Sequence, residues 1–413
     1  MFSFFKISAR NLLRRKRRSV LTGLMIFVGT LTMILVIALS YSMEQSITNA
    51  VCQTYTGNIE IHTATDQKID VYSGPASATP LLKGAESIRN LLAKQEGISY
   101  VVPHLRFQGI ITNSNEYTSS TVVAVDPAQE MKAFPKIKLL EGTFISEKEG
   151  VVIGKDLAKS INAKVGQEFY FDTADANGQN RRTHMKVQGI FTAEGMGMFL
   201  DNNIYMDINN ARDFLNLKQD EASDVIVITK SGVNEKNLID KVQSLLTKEG
   251  FSLRTESWKG IASMFYGIIM AVTIVPQMSL GIILFAVAIG IINTILMVIL
   301  ERTREIGMLI ALGTKRRQIL AMFVMEMGIL SAISSAIAIL IGLAVVFILG
   351  KIGVPAISSI LEFAFGGERL YFKFNFASLI ISFVAMVLIS MVVAYFAARK
   401  TSKLQPVEAM HTI

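Results

Sequence analysis

Four long apolar runs interrupt a chain whose other segments mix polar and hydrophobic positions. They lie at 19–43, within 261–300, at 327–350 and at 374–398. Each is long enough to cross a hydrocarbon layer of about 30 Å at about 1.5 Å of rise per residue, so four transmembrane helices are predicted. The stretch from 44 to 260 alternates short β-branched or aromatic runs with helical patterns. Strands are predicted at 58–62, 109–112, 121–125, 150–154, 169–172, 184–191 and 224–229. Helices are predicted near 85–94, with Ile88, Leu91 and Leu92 on one side, and at 155–161. A further helix carries Leu238, Ile239, Val242, Leu245 and Leu246 on one face. The polar stretch 174–182 contains Asn177-Gly178 and reads as a hairpin tip. The expected fold class is an α-helical membrane protein with four transmembrane helices plus a mixed α+β extracytoplasmic domain.

The second apolar run is about twice what a bilayer needs and contains Pro276, which removes a helix hydrogen bond. The span is placed at 277–300 and 261–276 is read as an outer stalk, the alternative being an interfacial or re-entrant segment. The expected division is then a basic N-terminus at 1–18, helix 1 at 19–43 and the α+β domain at 44–260, with an inserted subdomain at about 129–205. The stalk at 261–276, helix 2 at 277–300, a cytoplasmic segment at 301–318, helix 3 at 319–350, an outer loop at 351–373, helix 4 at 374–398 and a tail at 399–413 follow.

Charge supplies the orientation. Seven basic residues precede the first span (Lys6, Arg10, Arg14, Arg15, Lys16, Arg17, Arg18), five lie between the second and third, and three follow the fourth. The positive-inside rule places both termini and the 301–318 loop in the cytoplasm and the large domain outside. The cytoplasmic pieces carry 15 basic and 4 acidic residues, and the outer domain 23 basic and 27 acidic. The net charge of +8 therefore reflects topology and anionic headgroups, and no basic face suggests nucleic acid. The apolar core of the first run exceeds a secretory signal's, which favours an uncleaved anchor.

One cysteine, Cys52, and four scattered histidines argue against a disulfide scaffold or a metal centre. No H-E-x-x-H, G-x-S-x-G or EF-hand loop is present, and no bound cofactor is expected. Ser334, Ala338 and Gly342 recur every four residues in the third run, as do Ser331 and Ser335, and predict close helix packing. Asn293 and Glu326 are the intramembrane polar exceptions, read either as functional groups or as an interhelical hydrogen bond and a headgroup-level residue respectively.

The 301–318 loop reads Glu301-Arg-Thr-Arg-Glu-Ile-Gly-Met-Leu-Ile-Ala-Leu-Gly-Thr-Lys-Arg-Arg-Gln-Ile319. It predicts a helix with Ile306, Leu309, Ile310 and Gly313 on one face and Glu305 beside them, ended by Gly313. Such a helix can seat in a partner's groove or lie on lipid. These residues closely resemble the coupling segment of ABC-transporter permeases of the MacB/FtsX superfamily, with its E-x-T-x-E-I-G/A-x-L-x-A-L-G-x-x-x-x-Q-I pattern. Ala9-Arg-Asn-Leu-Leu-Arg-Arg-Lys-Arg-Arg-Ser-Val-Leu-Thr22 is similar to the family's entry into its first span, and Thr56-Gly-Asn-Ile-Glu-Ile-His62 to its first ectodomain strand. Gly150-Val-Val-Ile-Gly-Lys-Asp-Leu-Ala158 resembles its periplasmic core domain, and Leu404-Gln-Pro-Val-Glu-Ala-Met410 its tail. Length and span layout look closest to the lipoprotein-releasing LolC/LolE-type permeases.

The resemblance implies an inner-membrane permease that dimerises with a second copy or paralogue. Two cytoplasmic ATPase subunits, which bind the ATP and Mg, would dock on Glu301, Arg304, Glu305, Ile306, Leu309, Ile310 and Gly313. The chain carries no G-x-x-x-x-G-K-[ST], so hydrolysis is assigned to that separate subunit. It implies a lipoprotein cargo whose acyl chains rest between the first two spans, against Leu24, Phe27 and Leu31 and against Ile283, Val287 and Ile291. The stretch 174–182, at the place equivalent to the proline-bearing hook by which the LolC-type subunit engages a lipoprotein chaperone, is short and has no proline, which argues against recruitment of such a chaperone. A MacB-like efflux permease and an FtsX-like regulator of a cell-wall hydrolase are the alternatives.

Overall fold

The structure, a computed structural model, describes residues 16–63, 80–113, 116–301, 307–308 and 310–401. Along the chain run α1 (Lys16–Thr54), β1 (Ile59–Thr63), β2 (Leu82–Lys83), α2 (Ala85–Leu92), β3 (Ile98–Asn113), β4 (Glu116–Val125), α3 (Pro127–Ala133), β5 (Ile137–Gly142), β6 (Gly150–Gly154) and α4 (Lys155–Ser160). There follow β7 (Glu168–Ala174), β8 (Asn180–Ala193), α5 (Gly197–Leu200), β9 (Ile204–Asp207), α6 (Ile208–Phe214), β10 (Glu221–Ala222), β11 (Asp224–Thr229), α7 (Glu235–Lys248), β12 (Leu253–Ser257) and α8 (Trp258–Ile261). The last elements are α9 (Ser263–Glu301), α10 (Arg316–Ile352), β13 (Val354–Pro355), α11 (Ser359–Phe365), β14 (Arg369–Leu370) and α12 (Phe376–Thr401). Contacts divide the chain into two compact units. One comprises residues up to Glu44, Ala271–Val354 and the chain from Tyr371, and the other Gln45–Met270 with Pro355–Leu370.

The first unit is a bundle built from α1, α9, α10 and α12, the four helices long and apolar enough to cross a membrane. Ile26, Ile291, Ile295, Phe323, Met327 and Met386 fill its centre. The small-residue stripe on α10 lies inside it: Ser331, Ser335 and Ala338 are fully buried. Thr30 on α1 bonds the Ile26 carbonyl at 2.8 Å and lies 3.0 Å from the Ser335 hydroxyl, so both polar groups are satisfied away from water. A Cβ on Gly342 would press Ile34 at 3.2 Å, and one on Gly29 would meet Val287 at 2.9 Å. We expect Ala338→Leu and Gly342→Leu to destabilise the bundle by about 1–3 kcal/mol each through overpacking. Thermal unfolding in mild detergent measures this, and an unchanged transition would refute the packing assignment.

The second unit is a mixed sheet in the order β12-β1-β11-β3-β4-β9-β6-β8-β5, with β7 pairing β3 and β8. β3 is its spine. Its first half pairs β11 (Val101 with Val227) and its second half pairs β4 (Phe107 with Val122). Because its two halves pair with different strands, β3 feeds two cores along its length. Ile98 and Val101 join Ile59, Leu82, Ile88, Val225 and Val242 under α2 and α7. Leu105, Phe107 and Ile111 join Val151, Leu157, Phe171, Met185 and Ile204.

Several expectations need correcting. The second core draws on residues from Leu105 to Leu215, wider than the subdomain expected at 129–205. Strands 109–112 and 121–125 are only the far ends of β3 and β4, because Pro103, His104 and Arg106 hide the alternation of the nearer half. The helix expected to end at 43 runs to Thr54, because Ile47, Ala50 and Val51 recur on one face and are fully buried. Pro276 sits inside an unbroken α9, and Ser263 to Met270 groups with the α+β unit. β5, β9, β12 and α6 lie where no element is expected from periodicity.

Candidate functional site

In the segment joining α9 to α10, Glu301 ends α9, while Arg304, Glu305, Ile306 and Leu309 lie outside the described residues. Gly313 has φ +90° and its N–H donates to the Ile310 carbonyl at 3.0 Å, so it ends that turn in the left-handed conformation glycine tolerates best. The Gln318 side chain accepts from the Lys315 N–H at 3.0 Å and opens α10. Among the described residues of this segment, burial separates the apolar side chains. Ile310 packs toward the bundle centre, whereas Met308 is 57% and Leu312 83% exposed. These two are four residues apart and share the outward face.

The six residues expected to line an acyl-chain path differ widely in burial. Ile291 is sealed in the bundle centre, and Val287 lies against Gly29 of α1. Leu24 faces outward, Phe27, Leu31 and Ile283 are half-buried, and Leu31 lies beside Gly342. Sequence periodicity fixes which residues share a helix face but not where that face points, and this is why the set disperses. Asn293 is exposed on the outer surface of the bundle and Glu326 is half-buried.

In the α+β unit the ends of three different segments meet at Gly366, just after α11. Gly366 has φ +65°, and a Cβ there would overlap the Ser46 carbonyl oxygen on the outer part of α1. A Cβ on Gly195, in the turn before α5, would overlap the Gly366 backbone. Lys136 Nζ donates to the Gly366 carbonyl at 2.7 Å, and Lys138 pairs with Glu194 on the same turn. Rings close the arrangement: Phe199 stands 4.8 Å from Phe265 at the start of α9 and 5.1 Å from Phe363 on α11, edge to face, and Tyr55 packs 5.8 Å from Phe265. Backbone-to-backbone approach of this kind leaves no side chain to yield, so the outer ends of α1 and α9 and the segment carrying α11 are held to the same sheet. The sequence marked this site only by the Gly366-Gly367 pair.

Beneath Tyr55 lies a buried ionic cluster that the strand pattern concealed. Arg106 and Asp224, on paired strands, face each other with Nε 3.6 Å from Oδ2, both almost fully buried. Arg106 Nη2 donates to the Tyr55 carbonyl at 3.1 Å and to His104 Nδ1 at 3.2 Å. Since arginine can only donate, His104 Nδ1 is the acceptor, and Nε2 carries the hydrogen given to Glu130 Oε2 at 3.0 Å. The guanidinium also stacks 5.3 Å from the Tyr55 ring. Burial pushes the nearby Tyr205 hydroxyl well above its ordinary pKa. The cluster sits where β3 passes between the two cores, and it ties the end of α1 to both.

At the far end of the same sheet, Asp175 closes the β7–β8 turn by accepting from the Asn177 and Gln179 N–H groups, each at 2.9 Å. The Gln179 backbone bond, with Arg181 and Asn177, holds this carboxyl below the usual aspartate range, and the Arg182 fork does the same for Asp172. The tip is thus a tight turn with its acids already paired. Among the described residues no His, Cys, Asp and Glu cluster has the make-up of a metal site.

The chain matches the MacB-like periplasmic core domain family over residues 19–245 and the FtsX-like permease C-terminal family over 278–406. It is 23% identical to an ABC transporter permease of Methanocaldococcus jannaschii, over 97% of this chain and 96% of that one. It is 24% identical to the macrolide export ATP-binding/permease protein MacB of Campylobacter fetus, over 99% of this chain but 61% of that protein, and so spans about three fifths of its MacB relatives. Solved structures similar to it include the periplasmic region of MacB from Actinobacillus actinomycetemcomitans, with TM-score 0.36, 16% identity, and 53% of this chain against 97% of that one. The extracellular domain of the transporter YknZ gives TM-score 0.33 and 17% identity, over 48% of this chain and all of that one. With two family matches that together run from the first span to the end of the last, the chain belongs to the MacB/FtsX superfamily of ABC transporter permeases.

Proposed function

We propose that this permease transmits the work of a separate cytoplasmic ATPase through the membrane to its periplasmic domain. One observation carries the reading. α1 and α9 are each 39 residues long without a break, about 58 Å of helix against a hydrocarbon layer of about 30 Å, and their outer ends are locked to the sheet around Gly366. Rods so attached convert tilting of the spans into displacement of the domain. The N-terminus, the 301–318 segment and the tail are cytoplasmic in this reading. Two ATPase subunits, holding ATP and Mg, engage the segment through Met308 and Leu312, alongside the charged residues Glu301, Arg304 and Glu305, and a second permease copy or paralogue completes the assembly.

For cargo, the names of the MacB relatives that align along the whole chain favour a MacB-like export or mechanotransmitting role. The span ahead of a large ectodomain, one feature behind a lipoprotein-releasing assignment, falls in the region that aligns with those relatives, so it does not separate the two. The test is purification of the full chain in mild detergent with its neighbours retained. An ATPase subunit is expected to co-purify, and Met308→Glu with Leu312→Glu is expected to weaken that association about 10- to 100-fold while leaving thermal unfolding unchanged. Undiminished association would remove the docking assignment. Bound lipoproteins would move the cargo reading to lipoprotein release, and a bound cell-wall hydrolase to regulation.

A further inference from the structure

The segment between α10 and α12 carries an apolar surface that the transmission reading does not use. Ile357 is 86% exposed and Ile360, in the first turn of α11, is 69% exposed. Further along α11 the chain is packed: Phe363 and Ala364 are buried, with the Phe363 ring 5.1 Å from Phe199, while the first turn is left uncovered. The helix is capped by Ser358, whose hydroxyl accepts from the Leu361 N–H, so the orientation of Ile360 is fixed by a formed turn.

Three features point to one occupant for that outward side. Residues 352–361 contain no charged side chain, although Lys351 precedes them and Glu362 follows. Connectivity holds Ile357 within about 18 Å of Ile352, the last residue of a membrane-spanning helix, because five residues cannot reach further. On the return to α12 the chain again presents membrane-interface residues: Tyr371, Phe374 and Phe376 are exposed, and Lys351 before the segment rests its ammonium 4.6 Å from the Phe347 ring. An uncharged stretch with outward isoleucines, with a cation before it and exposed aromatic residues where the chain returns to the next span, has the composition of a segment lying in the headgroup–acyl boundary.

We infer that α11 and the residues leading into it form an interfacial anchor in the leaflet on the ectodomain side, with Ile357 and Ile360 inserted among the lipids. The partner is the bilayer surface itself. The inference rests on the four-span assignment and not on the cargo or the ATPase.

The test is collision accessibility of spin labels at Ile357→Cys and Ile360→Cys, separately, in the full-length Cys52→Ala protein. The protein is reconstituted in nanodiscs of phosphatidylcholine and phosphatidylglycerol, with Ile110→Cys, an exposed position on β3, as the water reference. The ratio of oxygen to nickel-chelate collisions is expected to be roughly fivefold higher at both anchor positions than at Ile110. Ratios equal to that at Ile110 would overturn the inference, since both positions would then face water. Dipolar broadening that disappears on dilution with unlabelled protein would overturn it in favour of contact with a second copy. Both isoleucines are exposed, so the substitutions leave the buried Phe363 and Ala364 untouched, and if one variant does not fold the other decides.

Discussion

Gly366→Ala should lower the unfolding temperature of the periplasmic domain by roughly 5–15 °C, corresponding to about 2–5 kcal/mol. Two costs combine. An alanine at φ +65° sits in the left-handed region, at about 1–2 kcal/mol, and its methyl would overlap the Ser46 carbonyl and press the Ile47 N–H, which belong to helix backbone that cannot rotate away. Gly178→Ala separates the two. Gly178 has φ +77° but nothing lies within 4 Å of the place a Cβ would occupy, so it should cost only the conformational part, about 1 kcal/mol. If the two variants unfold at the same temperature, the close approach at Gly366 carries no weight. If Gly366→Ala folds but the ATPase activity of the subunit bound to it no longer depends on cargo, the junction is transmitting and not merely stabilising.

The second large effect is expected at the buried ion pair. Arg106→Leu strands the Asp224 carboxylate in a site where it is fully buried, and removal of one partner of such a pair costs about 3–5 kcal/mol. The same change deprives the Tyr55 carbonyl and His104 Nδ1 of their donor. Arg106→Met combined with Asp224→Leu should recover most of the loss, because a well-packed apolar pair replaces two desolvated charges. Thermal unfolding of the full chain in detergent reads both. A single variant as stable as the parent would show that the pair is solvated in solution, and a double variant no better than the single would assign the cost to the Tyr55 and His104 bonds.

The spans and the α+β class were legible because each depends on a local period. Runs without charge must be buried in lipid, and strands such as 150–154 declare themselves by composition. The Ser334, Ala338 and Gly342 stripe was legible for the same reason, since small residues one turn apart have few uses but close packing. Direction was not legible. Ile291 and Leu24 satisfy the same periodic rule, yet one is sealed in the bundle and the other faces outward. Nor was the junction, which depends on Ser46, Gly195 and Gly366 meeting across some 320 residues of chain, with no local signal beyond two glycines. In β3, charged residues that pair across strands broke the alternation that would have revealed its full length. Buried charge looks like exposed charge until its partner is known.

The sharing of β3 between two cores has a consequence for engineering. Grafting one family member's second core onto another is the obvious way to exchange what the outer domain contacts. A graft bounded at 129 and 205 would take Phe171 and Met185 but leave behind Phe107, Ile111 and Val122, against which they pack. A viable exchange has to cut inside β3 after His104 and return before Ser223, so that Leu105 to Leu217 travels whole and the Arg106–Asp224 pair is rebuilt across the seam. The second core can therefore be exchanged only as one block, together with the charge pair that stitches the block in place.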